Sequence, residues 1–130
     1  MVWRWAVVGL AGVALLLSAC ANGDLQALRD EPIASAAIPG GVQGELRESN
    51  SGTALGKPLR ARLTRTFVAA DDVGLDELLT NARDVAEQLG WEFEEASNGF
   101  YFSEKSVEAG TVELDIITQD DQLVILIKLI

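Results

Sequence analysis

Val112-Glu113-Leu114-Asp115-Ile116-Ile117, joined through Thr118-Gln119-Asp120-Asp121-Gln122 to Leu123-Val124-Ile125-Leu126-Ile127-Lys128-Leu129, is the stretch whose reading decides the fold. With Asp120-Asp121 as the turn, Ile116 falls opposite Ile125, Leu114 opposite Ile127 and Val112 opposite Leu129. On the other face the same register sets Glu113 opposite Lys128. One register thus satisfies the apolar pairs and the ion pair together. A slip of one residue would turn every apolar side chain to the wrong face. The second strand of this hairpin is apolar on both parities, which predicts a central place in its sheet.

Outward from the hairpin, Leu75, Leu78, Leu79, Ala82, Val85, Ala86 and Leu89 recur at helical spacing and make one apolar stripe. Asp76 and Glu77 fall in the first turn, where the helix dipole favours acids, and Gly90 is the stop signal. Between helix and hairpin, Trp91-Glu92-Phe93-Glu94-Glu95 and Phe100-Tyr101-Phe102-Ser103 flank Asn98-Gly99, a strong short hairpin signal. A two-residue turn there would pair Glu95 with Phe102 and set Trp91, Phe93, Phe100 and Phe102 on one face. Upstream, Arg60 to Val68 reads as a strand with faulty alternation, because Arg65 shares parity with Leu63 and Phe67. A bulge or an edge position would explain that fault. The order predicts an α+β domain over 58–130. It is a two-layer β-α-β-β-β arrangement with one helix packed on a four-stranded, mainly antiparallel sheet.

Residues 21–57 show no sustained period. Six glycines and two prolines interrupt them, so they read as a flexible tether. A short helical turn around Asp24–Asp30 is allowed by Leu25 and Leu28, with Pro32 ending it. As free coil this segment would reach about 35 Å.

The chain has 130 residues, a formal charge of −10, one Cys and no His. One Cys excludes an intrachain disulfide and a Cys-based zinc site. The absence of His removes imidazole chemistry. The acidity argues against nucleic acid as a partner, because basic surface supplies most of that affinity.

Met1-Val2-Trp3-Arg4 carries one basic side chain, and Trp5–Leu17 follows with thirteen residues free of polar side chains. A charged start, a short apolar run and small residues after it describe a secretory signal peptide. A membrane span wants about 20 residues, and Trp5 to Ala21 is only seventeen. Leu17-Ser18-Ala19-Cys20 then resembles the lipobox of bacterial lipoproteins, with no departure from the pattern of a Leu, two small residues and Cys. The resemblance covers about the first 21 residues. It implies a diacylglyceryl group on the Cys20 thiol, cleavage that removes residues 1–19, and acylation of the new amino terminus. Two or three acyl chains hold a protein stably on a bilayer where one holds marginally. The implied organisation is a signal peptide over 1–19, a lipidated Cys and tether over 20–57, and a folded domain over 58–130. The implied location is extracytoplasmic and membrane-anchored. That means the outer face of the cytoplasmic membrane, or the periplasm or outer membrane of a two-membrane cell.

Chemistry is sparse. Gly52-Thr53-Ala54-Leu55-Gly56-Lys57-Pro58 has three residues between its glycines where a phosphate loop has four, and Pro follows its Lys. Asp71-Asp72 and Asp120-Asp121 lack the alternate spacing of a calcium loop and read as a helix start and a turn. No G-x-S-x-G is present. The reading therefore assigns no catalytic residue, metal or cofactor. Arg60, Arg62 and Arg65 read as a solvated or edge-protecting run, with anionic headgroups as the alternative. On the helix-free face, Ile117, Val124, Leu126 and Ile130 would collect beside the Glu113–Lys128 pair. Apolar patches of this kind mark interfaces, and the cover could be the tether, a protein partner or a second copy. The expected function is a membrane-tethered, non-enzymatic binding or assembly module. The alternatives are an accessory subunit of a membrane complex and a carboxylate-based envelope hydrolase.

Overall fold

The computed structural model describes residues 23–94 and 99–130. In chain order these form helix α1 (Gly23–Arg29), a 3-10 turn (Pro32–Ala34) and strands β1 (Gly41–Ser49), β2 (Gly52–Ala54), β3 (Lys57–Leu59) and β4 (Arg62–Ala69). Helix α2 (Leu75–Gln88) and strands β5 (Phe100–Val107), β6 (Gly110–Gln119) and β7 (Gln122–Leu129) follow. The fold is α+β: five strands in the order β1-β4-β7-β6-β5, each antiparallel to its neighbours, with both helices on one face.

The β6–β7 hairpin adopts the register its sequence predicts. Val112 pairs with Leu129, Leu114 with Ile127, Ile116 with Ile125, and Glu113 with Lys128. Asp120 and Asp121 both take positive φ, at 52° and 60°, so the turn twists with the strands it joins. β7 lies third of the five strands, the central place its two apolar parities require. The inward residues Leu63, Phe67, Val112, Leu114, Ile116, Leu123, Ile125, Ile127 and Leu129 are buried. Against them lie Leu78, Leu79, Ala82 and Ala86 of the α2 stripe.

Three expectations are corrected. The first concerns the tether. Residues 23–49 supply α1, the 3-10 turn and a fifth strand, so the sheet has five strands and two helices rather than four and one. Leu25, Leu28, Ile33 and Ile38 are buried in the same core as α2. The short helical turn allowed by Leu25 and Leu28 is α1, whereas Pro32 and Pro39-Gly40-Gly41 break the pattern around Ile33 and Ile38 and hid the rest. Within the same segment, Gly52–Ala54 pairs with Lys57–Leu59 as a small hairpin. Leu55 and Gly56 turn it with φ of 53° and 77°.

The second correction is Arg65. β4 is neither an edge strand nor bulged at this point; its neighbours are β1 and β7, and the register shift lies in β1 between Gln43 and Leu46. Arg65 instead points into the core and is 3% exposed. Its guanidinium donates to the Ile33 carbonyl at 2.9 Å and to Gln43 Oε1 at 2.9 Å, and lies 4.8 Å over the Phe67 ring. Desolvation lowers its pKa, but a guanidinium starts so high that it stays charged. The faulty parity was the mark of a polar group that needs a cover, and the N-terminal segment is that cover. Arg60 and Arg62 are exposed, as expected of the run.

The third correction is the first hairpin. Trp91–Glu94 is not a strand, and Glu95–Asn98, on which the expected pairing rested, lies outside the described residues. The helix end explains the change. Gly90 takes φ of 96° and donates to the Glu87 carbonyl, while the Trp91 amide donates to the Ala86 carbonyl. That paired closure of a helix end draws the following apolar residue back onto the helix. Trp91 is therefore buried, and Phe93 packs at the core margin. Phe100 and Phe102 instead pair with Ile117 and Asp115 and face the other way.

If Arg65 fastens the N-terminal segment, Arg65→Ala should cost about 2–4 kcal/mol, from two orphaned acceptors and the space left behind. Chemical denaturation of the full chain measures this. Limited proteolysis should also cut the variant first between residues 23 and 54. A loss below about 0.5 kcal/mol, within the range of an ordinary surface change, would contradict the fastening.

Candidate functional site

The helix-free face of the sheet holds the residues singled out for an interface. Side chains alternate along each strand, so this face takes the even positions of β4, β5 and β7 and the odd positions of β6. The pairings order them into rows across the strands. One row runs Thr66, Val124, Ile117, Phe100. The next runs Thr64, Leu126, Asp115, Phe102, and the third runs Arg62, Lys128, Glu113, Glu104. Val42 of β1 and Val68 of β4 extend the apolar surface at the far end.

Ile117 and Val124 are thus direct cross-strand neighbours, with Leu126 in the adjacent row. Ile130 does not join them. It is exposed beyond the Lys128–Glu113 row, where its amide donates to the Thr111 carbonyl. The sequence reading missed Phe100 and Phe102, which are 37% and 43% exposed and stack with ring centroids 6.4 Å apart. The signal for them was the Gly90-Trp91 pair: a Gly stop followed by a large apolar residue takes Trp91 out of the hairpin. No described element covers this face; both helices lie on the other.

The polar end of the face is electrostatically ordered. Lys128 Nζ and Glu113 Oε2 are 2.9 Å apart. Glu113 also lies two residues from Asp115 on the same face. Burial first, and Glu113 second by charge repulsion and a hydrogen bond, raise the Asp115 pKa to about 6 against Lys128, which lowers it. On β1, Arg47 is held by Glu45 at 3.0 Å. Arg62 and Glu104, at opposite ends of their row, have neither an ion-pair nor a hydrogen-bond partner among the described residues.

A groove of about 560 Å³ lies along β5, lined by Glu92, Phe93, Glu94 and residues 100–104, and shares Phe100, Phe102 and Glu104 with this face. Ser103 Oγ donates to the Glu92 carbonyl at its floor, at 2.6 Å. Glu92, Glu94 and Glu104 are all exposed there. The lipobox residues Leu17, Ser18, Ala19 and Cys20 lie outside the described residues.

The Asp115 shift carries a stability consequence. Its folded pKa of about 6 exceeds the ordinary 3.8, so between those values the fold holds a proton that the unfolded chain has released. Its contribution is greatest at low pH and is lost as pH rises through 6. Asp115→Asn should therefore raise the melting temperature at pH 7.5 and give little gain at pH 4. Thermal melts across that range test this, and a gain independent of pH would refute the electrostatic cause.

No family model, no curated protein and no solved structure matches the chain.

Proposed function

We propose that the protein is a lipid-anchored envelope protein that works as a non-enzymatic binding or assembly module, docking through the helix-free face of its sheet. The observation that carries the reading is an antiparallel sheet with one face packed under two helices and the other uncovered by any described element. On that face Val42, Val68, Phe100 and Phe102 are exposed, and Ile117, Val124 and Leu126 are half-buried beside them. A surface that places this many apolar side chains together is costly to leave in water and is retained where a partner covers it.

The anchor belongs to the same reading. Leu17-Ser18-Ala19-Cys20 supplies the site of lipid attachment, and α1 begins only three residues after Cys20. Three peptide steps span at most about 11 Å. The domain would then sit close against the bilayer rather than on a long leash, with α1 at the membrane end. A carboxylate-based hydrolase is the weaker reading. Glycoside-type chemistry needs one carboxyl group held neutral by burial beside the cleft; the carboxylates lining the β5 groove are exposed, and Asp115, the carboxyl whose pKa burial raises, does not line it.

Replacement of the sulfur nucleophile tests the anchor. Cys20→Ser should leave the precursor uncut and unlabelled by radioactive palmitate, while wild type is cleaved and labelled. A Cys20→Ser chain processed like wild type would overturn the lipid-anchor reading.

A further inference from the structure

The third row of the helix-free face has an unusual order. From β4 to β5 it reads Arg62, Lys128, Glu113, Glu104: two bases, then two acids. The inner pair is satisfied within the chain at 2.9 Å, whereas the outer two have no partner among the described residues. A row of that order is complementary to itself when reversed. Resting on the reading of this face as the docking surface, we propose that its occupant is a second copy of the same chain. The two sheets stack face to face about a two-fold axis parallel to the strands, between β6 and β7.

The axis follows from the residues. Rotation about it keeps each row over its own equivalent and exchanges the β4 side with the β5 side. Arg62 then lies over Glu104 of the second copy, and Lys128 over Glu113 of the second copy. In the apolar rows, Val124 meets Ile117 of the second copy, and Thr64 and Thr66 meet Phe102 and Phe100 of the second copy. Bulky rings therefore face small side chains, which is how two sheets interdigitate at a separation of about 10 Å. Asp115 is the one charged group set against an apolar partner, Leu126 of the second copy. Its raised pKa softens that cost as pH falls.

The anchor selects the same axis independently. Asp24, at the start of α1, lies 3.5 Å from Arg60, immediately before β4. Gly23 and Asp24 also line a cleft with Val107, Glu108 and Ala109 at the β5–β6 turn. The start of α1 is therefore at one end of the strands, the end that carries the charged row. A two-fold axis along the strands places both copies' α1 starts at that same end, as two anchors in one membrane require. A two-fold axis across the strands would send them to opposite ends.

Four overlapping strands at about 4.8 Å and about four rows of side chains give on the order of 500 Å² per copy, with β1 outside the overlap. A total near 1,000 Å² is at the low end for a specific complex. Confinement to one membrane surface raises the effective concentration and suits an interface of that size.

The test uses full-length chains carrying two different tags, co-expressed and crosslinked with formaldehyde in intact cells. Wild-type copies should capture one another. R62E with R62E, and E104R with E104R, should capture at least about tenfold less, since each homodimer sets like charges together twice. R62E co-expressed with E104R should return to the wild-type level, because each copy then supplies the charge the other needs. The R62E/E104R double variant should also recover. Thermal melts of the purified variants confirm that folding is intact. Wild-type copies that fail to capture one another, a different protein captured in their place, or a mixed pair no better than the single variants would each overturn the proposal. The palmitate label on Cys20 reads the anchor separately, so failure of one reading is distinguishable from failure of the other.

Discussion

The guanidinium of Arg65 is the constraint on which the rest of the structure depends. A charge on the inner face of a central strand is costly unless every donor finds an acceptor. Both acceptors, the Ile33 carbonyl and Gln43 Oε1, belong to the segment that precedes β4. The core therefore cannot close without that segment, which burial of Leu25, Leu28, Ile33 and Ile38 and the pairing of β1 with β4 also hold in place. Glu31 repeats the logic at the other side of the sheet. Its buried carboxylate meets Lys105 Nζ of β5 at 2.6 Å, and that ammonium lies 4.7 Å over the Trp91 ring. The N-terminal segment thus answers β4 with two neutral acceptors and β5 with one carboxylate, and these contacts fix where the cover sits. Pairs of this kind contribute less to net stability than to choosing one arrangement over others.

This explains which parts of the fold were legible in the sequence. The β6–β7 hairpin and α2 carry their own evidence, because period and turn chemistry agree within a single stretch. The N-terminal segment carries almost none. Leu25, Leu28, Ile33 and Ile38 gain meaning only against a surface that the chain builds later, from β4 onward. Arg65 was the visible clue. An Arg at an inward position of a strand asks what accepts its hydrogen bonds, and a segment called a tether was the one part of the chain left to answer. The first hairpin failed for a different reason. Asn-Gly is a local signal, and it was outweighed by the Gly90-Trp91 closure of the helix, which holds Trp91 before any strand can begin.

The candidate face was half legible. Ile117, Val124 and Leu126 follow from the β6–β7 register alone, and the structure places them together. Phe100 and Phe102 could not be assigned to that face without knowing that β5 pairs with β6 through Phe100–Ile117. Ile130 shares their parity but lies beyond the charged row, where continuity of the apolar surface has already ended. Parity decides which face a residue takes; only register decides which neighbours it has.

The same dependence separates the two faces of the sheet. On the inner face the buried charges are answered among the described residues: Arg65 by Ile33 and Gln43, Glu31 by Lys105. On the outer face Glu113 answers Lys128 and Glu45 answers Arg47, while Arg62 and Glu104, on β4 and β5 of one row, have no partner among the described residues. An exposed ion pair contributes little, so selection for stability gives no reason to complete it. Charges so arranged influence which surface can approach and in what orientation. A net charge of −10 would repel a second copy from most directions. The row of alternating halves is where that repulsion reverses, and the reversal holds for only one of the two in-plane axes.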